Sequence, residues 1–189
     1  SCTNIKTYAN LKYMNQIYLK DNFLMIRDGD GKDREMLQRQ LCKYYEDRNL
    51  EDIDRLPRVM PRNVLILKYY SFENYFLDPQ VMAKIGVIQS PDDFYTILLD
   101  KWKQYLHKLP SGQHLKQILG CDLSSSQDIK EHLEEIRIYL RGHNLFDIFY
   151  GPFKKEETSL LQYYIEAAPR DNFRDILDAI DNFLYFDNR

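Results

Sequence analysis

The stretch Phe23-Leu24-Met25-Ile26-Arg27-Asp28-Gly29-Asp30-Gly31-Lys32-Asp33 decides how the chain is read. An unbroken apolar run stops abruptly at alternating aspartate and glycine. Such a run, closed in this way, reads as a strand buried on both faces and ending in a tight loop. Helical periodicity resumes from Lys32, with Leu37, Leu41 and Tyr44/Tyr45 on one side. The polar segment Asn49–Arg62, with Pro57 and Pro61, reads as a connection, and Val64-Leu65-Ile66-Leu67 as a second buried strand. Ahead of the first strand, Ile5, Tyr8, Leu11, Met14 and Ile17 form one stripe of a helix over Thr3–Tyr18. Helix, strand, helix, strand in this order predicts right-handed crossovers and a parallel sheet covered by helices. Two strands make a poor sheet, so it is expected to be completed from elsewhere.

After Asp78-Pro79 the pattern turns wholly helical. Asp78 reads as a cap for the helix that follows it. Ser90-Pro91-Asp92-Asp93 is a strong helix start: serine at the N-cap, proline at the first helical position, carboxylates in the first turn. That helix runs through Phe94, Leu98, Trp102 and Tyr105 to a break at Pro110-Ser111-Gly112, and a short helix follows to Leu119. Ser124-Ser125-Ser126 caps another, with Ile129, Leu133, Ile136 and Leu140 as its stripe. Two more helices follow, marked by Leu160/Leu161/Tyr164/Ile165 and by Phe173, Ile176/Leu177, Ile180 and Phe183/Leu184. Arg141-Gly142-His143 reads as an arginine and a glycine stop at a helix end. The expected fold is therefore α/β, with a partial parallel layer over residues 1–89 and an all-helical subdomain over 90–189.

The bulk properties exclude several classes. Apolar residues make up 44% of the 189, enough for a real core, so wholesale disorder is excluded. Seven glycines and seven prolines exclude collagen-like chains. The net charge of −3 hides an uneven division: Ser1–Cys121 carries +3 and Asp122–Arg189 carries −6. Such asymmetry fits two surfaces with different partners. Cys2, Cys42 and Cys121 form no C-x-x-C pair, which excludes a thiolate zinc site and fits reduced thiols in a cytoplasmic protein. No apolar run approaches the roughly 18 residues of a membrane span. No phosphate loop of the G-x-x-x-x-G-K-[S/T] type occurs, so any ATPase activity must belong to another domain or chain.

In an open α/β sheet, ligands bind beyond the carboxyl ends of the strands, which is where Asp28 and Asp30 stand. Their carboxylates, two apart on a glycine-flanked loop, can converge on one hard cation if the loop bends; a solvated turn is the plain alternative. An EF-hand beginning at Asp28 needs glycine sixth and glutamate twelfth. Those positions are Asp33 and Arg39, so that motif is excluded. The second strand leads into Lys68-Tyr69-Tyr70-Ser71-Phe72-Glu73-Asn74-Tyr75-Phe76-Leu77-Asp78-Pro79, which offers Glu73 as a third carboxylate on the same rim.

A strand ending in Asp-x-Asp resembles the TOPRIM fold of topoisomerases, primases and certain nucleases. The Phe-Glu-Asn-Tyr-Phe-Leu-Asp-Pro segment resembles the overcoming-lysogenization-defect (OLD) nuclease branch of that fold and related effectors of ATPase-coupled phage defence. The resemblance spans about residues 1–120. It implies a nuclease using Mg2+ or Mn2+, with two ions about 3.5–4 Å apart stabilising the attacking and leaving oxygens. Asp28 and Asp30 would ligate one ion, and Glu73 would ligate or orient the second. It implies nucleic acid (DNA or RNA) and an ABC-type ATPase as partners, and leaves room for a homodimer. A basic group is also implied; where relatives show Gly-Lys, this chain has Gly112-Gln113, which leaves Lys116 as the nearest substitute. Lys101, Lys103, Lys108 and Lys116, interleaved with Trp102 and Tyr105, form a candidate nucleic-acid track; ordinary helix surface with core aromatics is the plain alternative, and the one favoured for Trp102. The resemblance further expects a glutamate-bearing strand ahead of Ser1, so the chain reads as the later part of such a domain.

Two rival readings belong to other classes. The Asp-x-Asp-Gly run also resembles the haloacid-dehalogenase phosphatases, with Asp28 as nucleophile and Asp30 as general acid, although Lys32 replaces their threonine. A non-catalytic docking module for an ATPase would instead use the acidic helical half, around Glu134 and Glu135, as its contact surface.

Overall fold

The computed structural model describes residues 23–51 and 59–186, with side chains for 23–47 and 59–184. The helix expected over Thr3–Tyr18 lies outside the described residues. The chain is mostly helical with a small parallel sheet, and it divides into two compact units. One holds the residues up to Lys68 together with those from Arg174 onward; the other is Tyr69–Phe173.

In the first unit the two apolar runs become β1 (Met25–Arg27) and, after helix α1 (Arg34–Glu51), β2 (Val64–Ile66). The strands are parallel, with Met25 opposite Val64, Ile26 opposite Leu65 and Arg27 opposite Ile66. The Leu67 N–H adds one more rung to the Arg27 carbonyl at 2.8 Å. Helix α1 starts where it does because the Asp33 carboxylate accepts the Met36 N–H at 2.6 Å, satisfying a donor the helix itself leaves open. Leu37, Leu41 and Tyr45, one turn apart, pack with Val59, Val64 and Ile66, and Met25 closes the edge of that cluster. Each such side chain contributes roughly 1.5–3 kcal/mol on burial, which is what holds α1 to the sheet. The Asn63 side chain fastens the entry to β2 by donating to the Phe23 carbonyl at 2.8 Å.

Burial on both faces holds for β2 and is corrected for β1, where Ile26 is 44% exposed. Side chains alternate along a strand, so Met25 turns to the α1 cluster and Ile26 to the opposite face. The helix Arg174–Phe186 borders that face through a groove of about 340 Å3 lined by Leu24, Val64, Leu65, Ala179 and Phe183, and Ile26 is not among the lining residues. The same helix is fastened by Asp175, whose carboxylate accepts the Lys68 N–H at 3.2 Å.

The second unit is helical: α2 (Pro79–Lys84), α3 (Pro91–Gln104), α4 (Pro110–Leu119), α5 (Ser126–Glu131), α6 (Leu133–Tyr139), α7 (Gly142–Tyr150) and α8 (Glu157–Ala167). The helix of the first unit at Arg174–Phe186 is α9. The capping expectations are met at Asp78, whose carboxylate accepts the Gln80 and Val81 N–H groups. They are met again at Ser90, which exchanges hydrogen bonds with Asp93 in a reciprocal box. The stripe Ile129–Leu140 is divided at His132 into α5 and α6. The core is aromatic: Phe94 stacks on Phe149 at 4.6 Å and Phe146 on Tyr150 at 4.4 Å.

Gly142 corrects the glycine-stop reading. It is the first residue of α7, not the end of α6, and a Cβ there would collide with Asn74 Oδ1 and Ser71 Oγ. Close approach, not a left-handed turn, explains this glycine.

Burial pushes the phenols of Tyr150 and Tyr164 well above the usual tyrosine range; the neighbouring phenol adds to the effect for Tyr150. A raised folded-state pKa gives stability that is complete below about pH 10, where the unfolded phenol ionises, and that is lost as pH rises toward the folded value. We expect the urea midpoint to fall above that pH. Tyr150→Phe and Tyr164→Phe should each flatten the decline.

Candidate functional site

Asp28 is the first residue beyond β1, and the chain turns back at once. The Lys32 N–H donates to the Gly29 carbonyl at 3.0 Å, and the two residues inside that turn, Asp30 and Gly31, have φ of 53° and 66°. A turn with both central residues left-handed is the type I′ class, which Gly and Asp tolerate and bulky residues do not. The sequence therefore supplies a tight bend directly after Asp28. Because β1 and β2 are parallel neighbours, this turn stands at the carboxyl rim of the sheet, beside Leu67 and Lys68. Asp28 is half-buried. Asp30 is 42% exposed, and its carboxylate lies 3.7 Å from Arg27 Nη2.

The segment bearing Glu73 is a 3-10 turn, Phe72–Phe76, in which Asn74, Tyr75 and Phe76 are buried. Its carbonyls are taken by side chains distant in sequence. Arg137 Nε donates to the Asn74 carbonyl at 3.0 Å, Tyr164 Oη to that of Tyr75 at 3.1 Å, and Tyr150 Oη to that of Phe76 at 2.8 Å. The Asn74 amide donates in turn to the Arg137 and Leu140 carbonyls and accepts from Ser71 Oγ. Arg137 completes the arrangement by lying 3.9 Å from the centre of the Tyr69 ring. From Tyr69 on, this network bonds the segment into the helices of the second unit, which begins there. Most of the Phe-Glu-Asn-Tyr-Phe motif is thus structural. Glu73 is the exception: half-buried, it has no hydrogen bond or ion pair among the described residues.

The lysines divide. Lys116 Nζ is 2.7 Å from Asp122. Asp122 also accepts the Trp102 indole N–H at 2.9 Å and the Leu123 N–H. The Lys116 hydrogen bond, helped by that of Trp102, holds the Asp122 carboxyl below its ordinary range. Lys101 bonds Gln104 and lies 3.7 Å from Asp100. Lys103 and Lys108 are exposed, with no partner among the described residues. Trp102 is buried, so it belongs to the core and not to a base-stacking surface; Tyr105, beside it, is exposed.

Asp28 and Asp30 belong to the first unit, whereas Glu73 and the lysines belong to the second. Among the described residues no three His, Cys, Asp or Glu side chains are gathered as a ligand set. What the turn offers is a carboxylate pair. That donor set suits magnesium, which keeps much of its water and is commonly held by one or two carboxylates plus substrate phosphate. It does not suit a closed all-protein cage. Sequence reasoning missed Arg27, Asn74 and Arg137. The signal for Arg27 was present: a charged residue closing an apolar strand. No helix among the described residues is long and apolar enough to cross a membrane. Comparison of the chain with family models, curated proteins and solved structures finds no match.

Proposed function

We propose that this chain carries the metal-binding turn of a TOPRIM-type nuclease of the OLD branch, cleaving phosphodiester bonds of DNA or RNA. The observation that supports it most is the parallel pairing of β1 and β2, which places the Asp28–Asp30 turn at the sheet rim where α/β ligands bind. In this reading Asp28 and Asp30 hold a Mg2+ or Mn2+ ion, and Glu73 serves a second. Such an ion would polarise a phosphate oxygen and lower the pKa of a bound water. The chain's own part is to hold the carboxylates. The type I′ turn fixes Asp30 in the left-handed region, and the rungs from Arg27 and Leu67 fix the strand ends beneath it. Lys103 and Lys108 are proposed to contact the nucleic-acid backbone, with Lys101 and Lys116 giving weaker support because acids already engage them. An ABC-type ATPase partner in phage defence belongs to the same proposal.

The test is metal-dependent cleavage of plasmid DNA and of RNA by the complete protein, with Asp28→Asn and Asp30→Asn as variants. Asparagine is chosen at position 30 because it tolerates the left-handed conformation, where alanine would add about 1–2 kcal/mol of strain. Both variants are expected to lose cleavage while melting as the wild type does. Retained cleavage in both overturns the reading. Hydrolysis of a small phosphomonoester with a trapped aspartyl-phosphate at Asp28 would move the assignment to a phosphatase.

A further inference from the structure

Among the described residues two arginines are largely buried, and they differ in what they touch. Arg137, in the second unit, spends its donors on the carbonyls of Asn74 and Tyr75 and lays its plane on the Tyr69 ring. Its charge is absorbed by structure. Arg27, in the first unit, is not accounted for in this way. It closes β1, and its carbonyl accepts the Leu67 N–H, so its backbone is fixed in the sheet. Its side chain shares the Met25 face by the strand's alternation and is only 14% exposed. Its Nε is buried without a hydrogen-bond partner among the described residues. Its one ion pair among the described residues, to Asp30 at 3.7 Å, is longer than a hydrogen bond.

Burying a guanidinium is costly unless its donors are matched. Native structures leave few such donors open, and those they do leave tend to have a use. Here the open Nε belongs to a guanidinium 3.7 Å from Asp30, on the residue that precedes Asp28, on a strand and not on a loop, where a side chain is held most firmly. A planar fork of N–H groups matches phosphate oxygens better than an ammonium does.

We infer that Arg27 is a phosphate-binding residue of the strand-end site, held by Asp30 until a cation takes that carboxylate. The inference rests on the proposed metal-binding role of the turn. Guanidinium and metal compete for one carboxylate, so an ion bound at Asp30 releases Arg27 for the incoming phosphate. Metal and nucleic acid then bind with positive coupling, and the coupling is the same read from either ligand. This assigns the phosphate-facing cation to the first unit and leaves Lys116 to its bond with Asp122.

The experiment uses the complete chain and reads binding, not turnover. Mn2+ affinity is measured by electron paramagnetic resonance. Binding of a fluorescein-labelled DNA or RNA oligonucleotide is measured by anisotropy, with and without Ca2+ to support binding without cleavage. Arg27→Gln is expected to bind Mn2+ as tightly as the wild type or a few-fold more tightly. It should lose roughly tenfold in oligonucleotide affinity with Ca2+ present, and little without it. Arg27→Lys should restore part of the loss, and it serves alone if the glutamine variant does not fold. If Arg27 merely braces the turn, Mn2+ and oligonucleotide binding weaken together, and that result overturns the inference. So does a Ca2+-dependent gain that is intact in the variants. The proposed nuclease fails separately, when both aspartate variants still cleave.

Discussion

Asn74→Ala is expected to destabilise the helical unit by roughly 3–5 kcal/mol, read as a lowered midpoint in urea. The side chain is wholly buried. It donates at 2.9 Å to the Arg137 carbonyl and at 3.1 Å to that of Leu140, and it accepts from Ser71 Oγ at 3.0 Å. Alanine removes all of these side-chain hydrogen bonds at once, so each buried group left behind bears its own desolvation penalty. Loss of a single hydrogen bond would account for about 1 kcal/mol; the orphaned groups supply the rest. Gly142→Ala reaches the same network from the opposite side, by overfilling it. A midpoint shift under about 1 kcal/mol for Asn74→Ala would mean that the network relaxes around the gap.

Glu73→Gln, one residue away, is expected to do the reverse. Its carboxylate has no partner among the described residues, so stability should change by less than about 0.5 kcal/mol. Under the proposed function, metal-dependent cleavage should fall on the order of a hundredfold or more. Measuring both variants by melting and by cleavage separates a residue that builds the segment from one that the segment presents. Unchanged cleavage in Glu73→Gln would remove that residue from the proposal and leave Asp28 and Asp30 standing.

What was legible in the sequence was whatever is decided locally. The caps at Asp78 and Ser90 depend on side chains reaching N–H groups two or three residues away, and both were readable. The strands β1 and β2 were readable from four-residue apolar runs, and the Asp-Gly-Asp-Gly turn from its own chemistry. What was not legible depends on pairings across the chain. Trp102 was readable as a core aromatic on the helix stripe, but its indole partner Asp122, twenty residues on, was not. Asn74 stood in the sequence only as part of a motif, because the carbonyls it donates to are more than sixty residues away. The exposure of Ile26 depends on how far α9 reaches over the second face, which no local pattern records.

The return of α9 to the first unit bears on how the protein is made. The second unit, Tyr69–Phe173, is contiguous, whereas the first needs residues on both sides of it. Synthesis proceeds from the amino end and domains tend to fold as units. The helical unit can therefore complete its core before α9 joins the sheet. Until Ala179 and Phe183 emerge, Leu24 and Leu65 have no cover from that helix. During translation the Leu24 and Leu65 face of the sheet is therefore the part that still waits for its covering helix, open meanwhile to chaperones and proteases.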